Sequence, residues 1–328
     1  MNLSKIVFRF RQFGGWRLVR AYLRKGVFPI MLKEVWRVSI LCRPLKEAYP
    51  KIRGFVSPIL KKEYEPLLYE LVSKYKNVEF ERKSNDVVWF GWLQGIDNAP
   101  DLVKVCYWSQ KNHIQDKTFI DISYANYKEY VSLPDFIIDK YEKKIIPAAH
   151  FSDLLRLELL IQHGGTWIDS TVLCTGTNYP KQIMDCSLFF FRYFRKDNLR
   201  TGGISNWFIS AYSNNKLLMI LRDMLYQYWR DYDCVLEYYV FHLFFSMIAE
   251  FFPEEMTAMP KLNSYPAIAM GHKLKDDYNE EWMERVISVS CFHKLNYRIT
   301  KEMKNNPNSY YNYIMREYGE EKDDCKIG

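Results

Sequence analysis

The hydrophobic and polar positions of the chain follow two periods that alternate along its central part. Short apolar runs rich in β-branched and aromatic residues predict buried strands, and longer stretches with a helical period predict helices. Prolines at the start of several helical stretches support these assignments. The predicted strands span residues 87–92, 119–123, 166–168 and 187–192, and the predicted helices span residues 61–76, 100–109, 134–141, 151–162 and 280–286.

Strands and helices alternate up to residue 175. This alternation predicts an α/β fold in which helices cover a sheet with parallel strands. Between residues 206 and 252 the period becomes helical, with breaks at residues 214–215 and 231–233. We therefore expect one sheet flanked by helices, followed by a helical segment.

The helix predicted at residues 151–162 carries an acid and a base on one face. At 100° per residue, Asp153 and Arg156 fall on the same side as Leu157 and Leu160. A charge among leucines must be paired or bound to a ligand, because burial removes its hydration. Two interpretations follow, namely a structural ion pair inside the core or a pair that holds a ligand.

Two glycines, Gly164 and Gly165, follow this helix and predict its end, because glycine adopts left-handed backbone conformations without steric cost. The next three residues are β-prone and predict a short strand that delivers Asp169 to the carboxyl edge of the sheet. Ligands of open α/β sheets bind at this edge. The spacing therefore predicts one ligand site shared by Asp153, Arg156 and Asp169.

Three motifs stand in order along this part of the chain: W-x-x-G at residues 92–95, S-D-x-x-R at residues 152–156 and G-G-x-W-x-D at residues 164–169. Together they resemble the capsular polysaccharide synthesis proteins, which are related to the family-32 glycosyltransferases and more remotely to the clostridial toxin glucosyltransferases. Weaker similarities lie at residues 206–211 and at Lys294-Leu295. The resemblance covers residues 87–296.

This resemblance implies a GT-A type nucleotide-diphospho-sugar transferase fold, with a single Rossmann-like mixed sheet flanked by helices. It implies a glycosyltransferase that moves a sugar from a nucleotide-diphosphate donor, with a UDP-sugar favoured, to a growing capsular or other cell-surface polysaccharide. The acceptor is then an oligosaccharide, lipid-linked or free. The related families retain the anomeric configuration, and the same outcome is expected here.

The resemblance also assigns roles to residues. Asp153 is expected to contact the ribose or the base, Arg156 to orient the diphosphate or the donor sugar, and Asp169 to hold the ribose and a metal ion. The other donor-binding candidates are Trp89, Trp92, Gly95, Gly165 and Thr171, and the acceptor-side candidates are Asn206, Trp207 and His242. Aromatic faces stack on bases, so Trp89 and Trp92 are expected to wall the nucleotide pocket. The competing interpretation places these tryptophans in the core and His242 on an ordinary helix face.

Many relatives carry Asp-x-Asp at the end of the strand, where the second carboxylate ligates a divalent cation that bridges the diphosphate. Here Thr171 takes that position. Mn²⁺ and Mg²⁺ prefer oxygen ligands, and one carboxylate, a hydroxyl, diphosphate oxygens and waters form a workable set. We therefore expect Mn²⁺ or Mg²⁺, with Asp169 and Thr171 as ligands. His293 is the candidate for a further metal ligand, and the alternative is a histidine that binds no metal.

The composition is that of a folded, enzyme-sized protein of 328 residues, 48% hydrophobic, 17% aromatic and 26% charged. These values exclude a mainly disordered chain. The seven cysteines are scattered, odd in number and never in C-x-x-C spacing. This pattern indicates reduced thiols in the cytoplasm rather than a zinc site or a disulfide framework. The sequence shows neither an apolar run long enough to span a membrane nor a secretory signal.

Basic residues are concentrated in an arm at residues 1–45, which carries the single acid Glu34 before Arg43. Aromatic and aliphatic residues are interleaved with the basic ones, as in a helix that lies in the plane of an anionic membrane leaflet. We therefore expect residues 1–40 to bind the inner face of the cell membrane. The alternative is a helix packed on the enzyme with a basic, solvated face. A nucleic-acid partner is excluded, because the net charge of +7 is concentrated in this arm and no nucleic-acid-binding motif accompanies it.

We expect two parts, the helical arm at residues 1–45 and one GT-A domain at residues 46–328. The domain divides into a nucleotide-binding half at residues 80–180 and an acceptor-side half at residues 181–300. The alternative function is a non-catalytic component of an envelope-polysaccharide assembly that binds a sugar nucleotide or a glycan. Such a protein would have kept the fold after the loss of the second metal carboxylate.

Overall fold

The computed structural model describes residues 10–41, 43, 47–83, 86–193 and 203–319. Within these residues the strands are β1 (Val87–Gly91), β2 (Thr118–Ile122), β3 (Gly165–Asp169), β4 (Val172–Cys174), β5 (Leu188–Arg192), β6 (Ile204–Ala211) and β7 (Phe292–Lys294). The helices are α1 (Trp16–Arg24), α2 (Phe28–Ile40), α3 (Tyr49–Tyr75), α4 (Asp101–His113), α5 (Tyr127–Tyr130), α6 (Asp135–Glu142), α7 (Ala148–His163), α8 (Lys216–Asp231), α9 (Val240–Ala249), α10 (Pro253–Ala258), α11 (Ser264–Lys273), α12 (Glu280–Val289), α13 (Lys301–Asn305) and α14 (Tyr310–Glu317).

Five strands form one mixed sheet in the order β2-β1-β3-β6-β5. Strands β2, β1 and β3 run parallel, whereas β6 is antiparallel to both of its neighbours. Gly91 at the end of β1 lies beside both Ile122 of β2 and Asp169 of β3. The carboxyl ends of the three parallel strands therefore meet at one edge. This arrangement confirms the predicted α/β class with a single mixed sheet flanked by helices.

A second, two-stranded sheet returns the C-terminal part of the chain to this edge. Strand β4 begins three residues after Asp169 and pairs antiparallel with β7, with Val172 opposite Lys294. The amide of Leu295 extends the ladder by donating to the carbonyl of Thr171 at 2.8 Å. The segment after β7 is thereby held next to the end of β3.

The two faces of the large sheet contact different layers. Trp89 and Trp167 point into the main core, which the sheet shares with α3, α7, α8 and α9. Val88 and Ile168 point to the opposite face, where α4, the small sheet and α11 pack. Strands β1, β3, β5 and β6 thus bury both of their faces, whereas the edge strand β2 is mostly only partly buried.

Helix α3 is much longer than the helix predicted at residues 61–76. Pro58 and Pro66 lie inside it, and both side chains are on the exposed side. The carbonyls that lose a hydrogen bond belong to Gly54 and Lys62, which are also exposed, so water is able to satisfy them. The buried side repeats every four residues through Ile52, Val56, Leu60, Tyr64 and Leu68. Burial of this stripe outweighs the cost of the prolines.

The prediction of helix from residue 206 onward is wrong for its first part, because residues 204–211 form β6. All but one of the eight residues of this strand are buried. A strand buried on both faces shows no polar alternation, so its pattern is the same as that of a buried helix segment. The helical prediction is confirmed from Lys216 onward, where α8 begins, and Asn215 caps that helix by accepting hydrogen bonds from two amides.

Helices α1 and α2 of the basic arm pack against the rest of the protein. Tyr22, Val27 and Val38 are buried, and the hydroxyl of Tyr22 donates to the carbonyl of Leu236 at 3.3 Å. Residues 1–9, 42, 44 and 45 of the predicted arm lie outside the described residues. None of the described helices is long and apolar enough to cross a membrane.

The first testable prediction concerns the close approach of β3 to β1. Gly165 has a φ of +94°, and a Cβ at this position would lie 2.5 Å from the carbonyl oxygen of Val87. Gly165→Ala should therefore lower the free energy of unfolding by more than the roughly 1–3 kcal/mol of backbone strain alone. Urea denaturation measures the change.

Gly95→Ala provides the matched control. Gly95 also has a positive φ, +81°, but no atom lies within 4 Å of a Cβ built there. This variant should be destabilised by the backbone strain alone. Equal destabilisation by the two variants would contradict the close approach at Gly165.

Candidate functional site

Helix α7 and strand β3 bring two carboxylates to one guanidinium at the carboxyl edge of the sheet. The Nη2 atom of Arg156 lies 3.3 Å from Oδ1 of Asp169 and 3.5 Å from Oδ1 of Asp153. The structure thus places together the three residues that the motifs singled out. Their chemical roles stay predictions.

Arg156 is 5% exposed and is held by contacts on several sides. Its Nε donates to the carbonyl of Ser152 at 3.2 Å, its Nη1 donates to the carbonyl of Asn206, and its guanidinium lies 5.0 Å from the ring centre of Trp167. A guanidinium fixed by its own helix, by β6 and by an aromatic face has little freedom to move. It therefore presents a preorganised positive charge.

Asp169 accepts hydrogen bonds on both carboxylate oxygens. The indole Nε1 of Trp167 donates to Oδ1 at 2.9 Å, and the ammonium of Lys294 donates to Oδ2 at 2.7 Å. Burial raises the pKa of Asp169, but the charges of Lys294 and Arg156 together with these hydrogen bonds outweigh it, so the pKa lies below its ordinary value. Asp169 is therefore ionised at neutral pH.

Asp153 lies in a different environment, although it shares the same guanidinium. Its Oδ1 accepts a hydrogen bond of 2.8 Å from the amide of Asn206. Burial raises the pKa of Asp153 to about 7, with Arg156 opposing the rise and the charge of Asp169 adding to it. At neutral pH this carboxyl is able both to donate and to accept a hydrogen bond, as contact with a hydroxyl group of a ligand requires.

Lys294 of β7 completes the cluster, and its part in it was missed by sequence reasoning. Its ammonium donates to Oδ2 of Asp169 at 2.7 Å and to Oγ1 of Thr171 at 2.6 Å. The sequence signal was the weak family similarity at Lys294-Leu295, which did not indicate this contact. We call Asp153, Arg156, Asp169, Thr171, Asn206 and Lys294 the edge cluster.

The edge cluster opens to solvent. The side chains of Asp169 and Lys294 are 22% and 26% exposed. Aromatic residues lie on nearby segments: Trp92 follows β1 and meets Tyr297 edge to face at 5.8 Å, and Tyr297 is 45% exposed. A ligand therefore has access to the carboxylates and cations, with aromatic surface beside them.

Two tryptophans predicted for the site are in the core instead. Trp89 is 2% exposed and donates to the carbonyl of Gly164 at 2.8 Å, so it has no free face for a base. Trp207 stacks on Phe191 with ring centres 4.6 Å apart, on the opposite face of β6 from Asn206. Both corrections have one physical reason, since β1 and β6 are covered on both faces and their tryptophans pack into the core.

Four other residues were predicted for the site, and only Asn206 among them belongs to the edge cluster. Gly165 lies at the amino end of β3, far along the strand from Asp169, and its conformation serves the packing against β1. Gly95 lies in the loop after β1 with open space around it. Asn206 belongs to the edge cluster through its contact with Asp153, and its acceptor-side role stays a prediction. His242 is buried on α9, where burial and the nearby charge of Arg156 lower its pKa to about 3.

The structure does not bring His293 to Asp169. His293 is fully buried, its Nε2 lies 3.2 Å from Oγ1 of Thr175, and burial lowers its pKa to about 3. Successive residues of a strand face opposite sides, so the side that meets Asp169 belongs to Lys294. Among the described residues no group of three or more histidines, cysteines and acids is arranged to hold a metal ion.

A surface cavity of 430 Å³ lies elsewhere, near the start of the sheet. It is lined by Lys76, Asn77, Val78, Glu79, Phe80, Arg82, Asn214 and Lys216. None of the edge-cluster residues takes part in it. None of the motif residues lines this cavity, so the edge cluster is the better candidate for the functional site.

The fold and this geometry define an α/β protein with a charged, solvent-accessible site at the carboxyl edge of its parallel strands. The chain belongs to the capsular polysaccharide synthesis protein family, whose sequence profile matches residues 41–314. The family predicted from the motifs is thereby confirmed.

Other comparisons add two findings. Six chains of solved structures match. One of them, titled PaToxG Glycosyltransferase, is 14% identical with a TM-score of 0.35, over 80% of this chain and 95% of that chain. A search of the curated proteins found no match.

The raised pKa of Asp153 generates the second prediction. The native state holds a proton on this carboxyl from pH 4 up to about 7, whereas the unfolded state releases it near pH 4. The free energy of unfolding therefore falls as the pH rises through this window, and the contribution of Asp153 to it stays constant at higher pH. Asp153→Asn keeps the neutral form, so it should be more stable than the parent above pH 7, by up to about 4 kcal/mol.

Urea denaturation between about pH 4 and 8 measures this difference in the free energy of unfolding between Asp153→Asn and the parent. Asp139→Asn on the exposed side of α6 serves as the control. A stability difference between Asp153→Asn and the parent that stays constant across the whole range would show that Asp153 ionises normally.

Proposed function

We propose that this protein is a glycosyltransferase that moves a sugar from a nucleoside-diphosphate donor to a growing capsular or other cell-surface polysaccharide. The observation that carries the proposal is the edge cluster itself, in a member of a capsular polysaccharide synthesis family. Two cations and two carboxylates converge at the edge where open α/β sheets bind their ligands.

The required chemistry matches the charges of the edge cluster. In the transfer, the bond between the anomeric carbon and the diphosphate oxygen breaks, and the diphosphate leaves with the electron pair. The acceptor hydroxyl oxygen bonds to the anomeric carbon, and its proton passes to the departing diphosphate. The main catalytic contribution is then stabilisation of the negative charge on the leaving group. Arg156 and Lys294 supply the positive charges.

The other residues of the site suit the donor. Asp153, with its pKa near 7, binds a ribose or sugar hydroxyl as donor or acceptor of a hydrogen bond. Trp92 and Tyr297 offer aromatic faces for the base, and base stacking on such faces contributes about 1–3 kcal/mol per base. A UDP-sugar donor, an oligosaccharide acceptor and retention of configuration complete the proposal, on the basis of the family resemblance.

One observation favours a second candidate, a non-catalytic component that binds a sugar nucleotide or a glycan. Thr171 stands where many relatives have a second carboxylate. Turnover separates the two candidates, because a binding protein holds the donor without releasing nucleoside diphosphate.

The third prediction is that the protein slowly hydrolyses a sugar nucleotide, with water in place of the acceptor. Asp169→Ala should reduce the release of nucleoside diphosphate by at least about 100-fold, since it removes the group that positions both cations. A coupled assay over a panel of sugar nucleotides, with and without Mn²⁺, measures the rate.

Asp86→Ala is the matched control, because Asp86 is an exposed acid beside the start of β1 and pairs only with Lys117 among the salt bridges of the described residues. Melting temperatures of both variants establish that they fold. Stabilisation of the protein by a sugar nucleotide without any release of nucleoside diphosphate would favour the binding protein.

We also propose that the arm binds an anionic membrane surface. Its apolar residues form two exposed stripes, with Trp16 and Leu23 on α1 and Leu32, Trp36 and Ile40 on α2. The same segment carries five exposed cations, namely Arg11, Arg17, Arg20, Arg24 and Lys33. Glu34 is buried and paired with Arg37, so no exposed acid opposes the cations between residues 10 and 41. Such a surface matches the apolar interior and negative headgroups of an anionic leaflet.

The fourth prediction follows from the exposure of the two tryptophans, 74% for Trp16 and 68% for Trp36. The double variant Trp16→Ser/Trp36→Ser should bind anionic vesicles at least about tenfold more weakly, because it removes the largest apolar contacts. Cosedimentation with phosphatidylglycerol vesicles measures the binding, and added salt should weaken it further.

Val289→Ser removes an equally exposed apolar side chain at the end of α12 and is the control. Undiminished vesicle binding by the double variant would remove the membrane proposal.

A further inference from the structure

The groups around Asp169 do not form a good divalent-cation site. The one carboxylate at the end of β3 already accepts hydrogen bonds on both of its oxygens. The Thr171 hydroxyl oxygen accepts from Lys294. Mg²⁺ and Mn²⁺ favour sites with several oxygen ligands, among them one or two carboxylates. Each carboxylate oxygen of Asp169 already has a donor, so an ion would have to share that carboxylate with Trp167 and with the cations Lys294 and Arg156.

Lys294 lies where such an ion would be expected. Its ammonium lies between the Asp169 carboxylate and the Thr171 hydroxyl, at 2.7 and 2.6 Å. We propose that the Lys294 ammonium replaces the divalent cation, so that this site binds a nucleoside diphosphate and releases it as the leaving group without a metal ion. This inference rests on the proposed glycosyltransferase function and specifies how that function is carried out.

The hydrogen-bonding capacity of Lys294 supports this role. An ammonium has three N–H donors. Two of them are used within the edge cluster, by Asp169 and Thr171. The third has no hydrogen-bond partner among the described residues, and the side chain is partly exposed. A phosphate oxygen is a suitable acceptor for it, because hydrogen bonds between two charged groups are the stronger ones.

The charge of the edge cluster also supports the proposed role of Lys294. Arg156 and Lys294 are both cations, whereas Asp169 is ionised and Asp153 is only partly so at neutral pH. The cluster therefore carries net positive charge before any ligand binds. In the transfer step Lys294 keeps its proton and contributes charge, while the electron pair of the broken bond stays on the diphosphate.

The backbone around Lys294 is held in place by three contacts. Val172 opposite it in the ladder accepts a hydrogen bond of 2.7 Å from the buried side chain of Gln110. The amide of Leu295 donates to Thr171 at 2.8 Å. On the other side, Gly271 of α11 approaches so closely that a Cβ there would lie 2.5 Å from the Lys294 carbonyl oxygen. The ammonium is therefore delivered from a rigid strand, as a preorganised cation must be.

The fifth prediction tests nucleotide binding without turnover. UDP and other nucleoside diphosphates should raise the melting temperature of the full chain in EDTA as much as in Mn²⁺. Calorimetric titration should give dissociation constants that agree within about twofold in the two conditions. Sugar-nucleotide hydrolysis should likewise proceed in EDTA.

Variants of Lys294 sharpen the test. Lys294→Ala should weaken nucleoside-diphosphate binding about 10–100-fold, as expected for the loss of a charged hydrogen bond. Lys294→Arg should retain part of the affinity. Lys273→Ala removes a lysine of α11 that pairs with Asp276 at 2.9 Å and should bind normally. The double variant Lys294→Ala/Thr171→Asp creates a second carboxylate beside Asp169, and its nucleotide binding should become dependent on Mn²⁺.

Binding of nucleoside diphosphate only in Mn²⁺, with EDTA abolishing both the thermal shift and hydrolysis, would overturn this inference and leave the glycosyltransferase proposal intact. Normal affinity of Lys294→Ala in EDTA would also overturn it. No stabilisation by any nucleoside diphosphate or sugar nucleotide in either condition would overturn both proposals.

Discussion

The ion pair between Arg156 and Asp169 joins the two elements that build the site, helix α7 and strand β3. Both side chains are largely removed from water, and an unpaired charge in such a place costs several kcal/mol. Each residue therefore depends on the other, which fixes the rotation of α7 against the end of β3. Asp169 in turn pairs with Lys294, so the C-terminal segment is tied to the same point. Three charges thus join α7 and the adjacent β3 to a distant C-terminal segment.

The local parts of this arrangement were predictable from the sequence, because their signals are local. The glycines at 164 and 165 mark the change from helix to strand, and both have positive φ in the structure. Asp153 and Arg156 are one helical turn apart, so helix geometry alone places them on one face. Asp169 follows a short β-prone run, and parallel strands present their ends at one edge. These signals were sufficient for the fold class and for three members of the edge cluster.

The parts that were not predicted depend on contacts between residues distant in the chain. His293 and Lys294 are neighbours, and only the register of β7 against β4 decides which of them faces Asp169. That pairing spans more than a hundred residues of sequence, and no periodicity in a strand of three residues reveals it. The prediction that the tryptophans of β1 and β6 line the site was wrong for a related reason. In a strand covered on both sides, a core residue and a pocket residue have the same sequence pattern.

The sequence left open whether Asp153 and Arg156 form a structural ion pair or a ligand site, and the charges of the edge cluster favour the ligand site. A structural pair is most favourable when positive and negative charges balance and water is excluded. Here Arg156 and Lys294 face one ionised carboxylate and a second whose ionisation burial disfavours, and the side of Lys294 and Asp169 is open to solvent. A fold that needed only stability would gain nothing from this excess of positive charge. An anionic ligand that entered from solvent would supply the missing negative charge, so the surplus and the opening both support the proposed donor site.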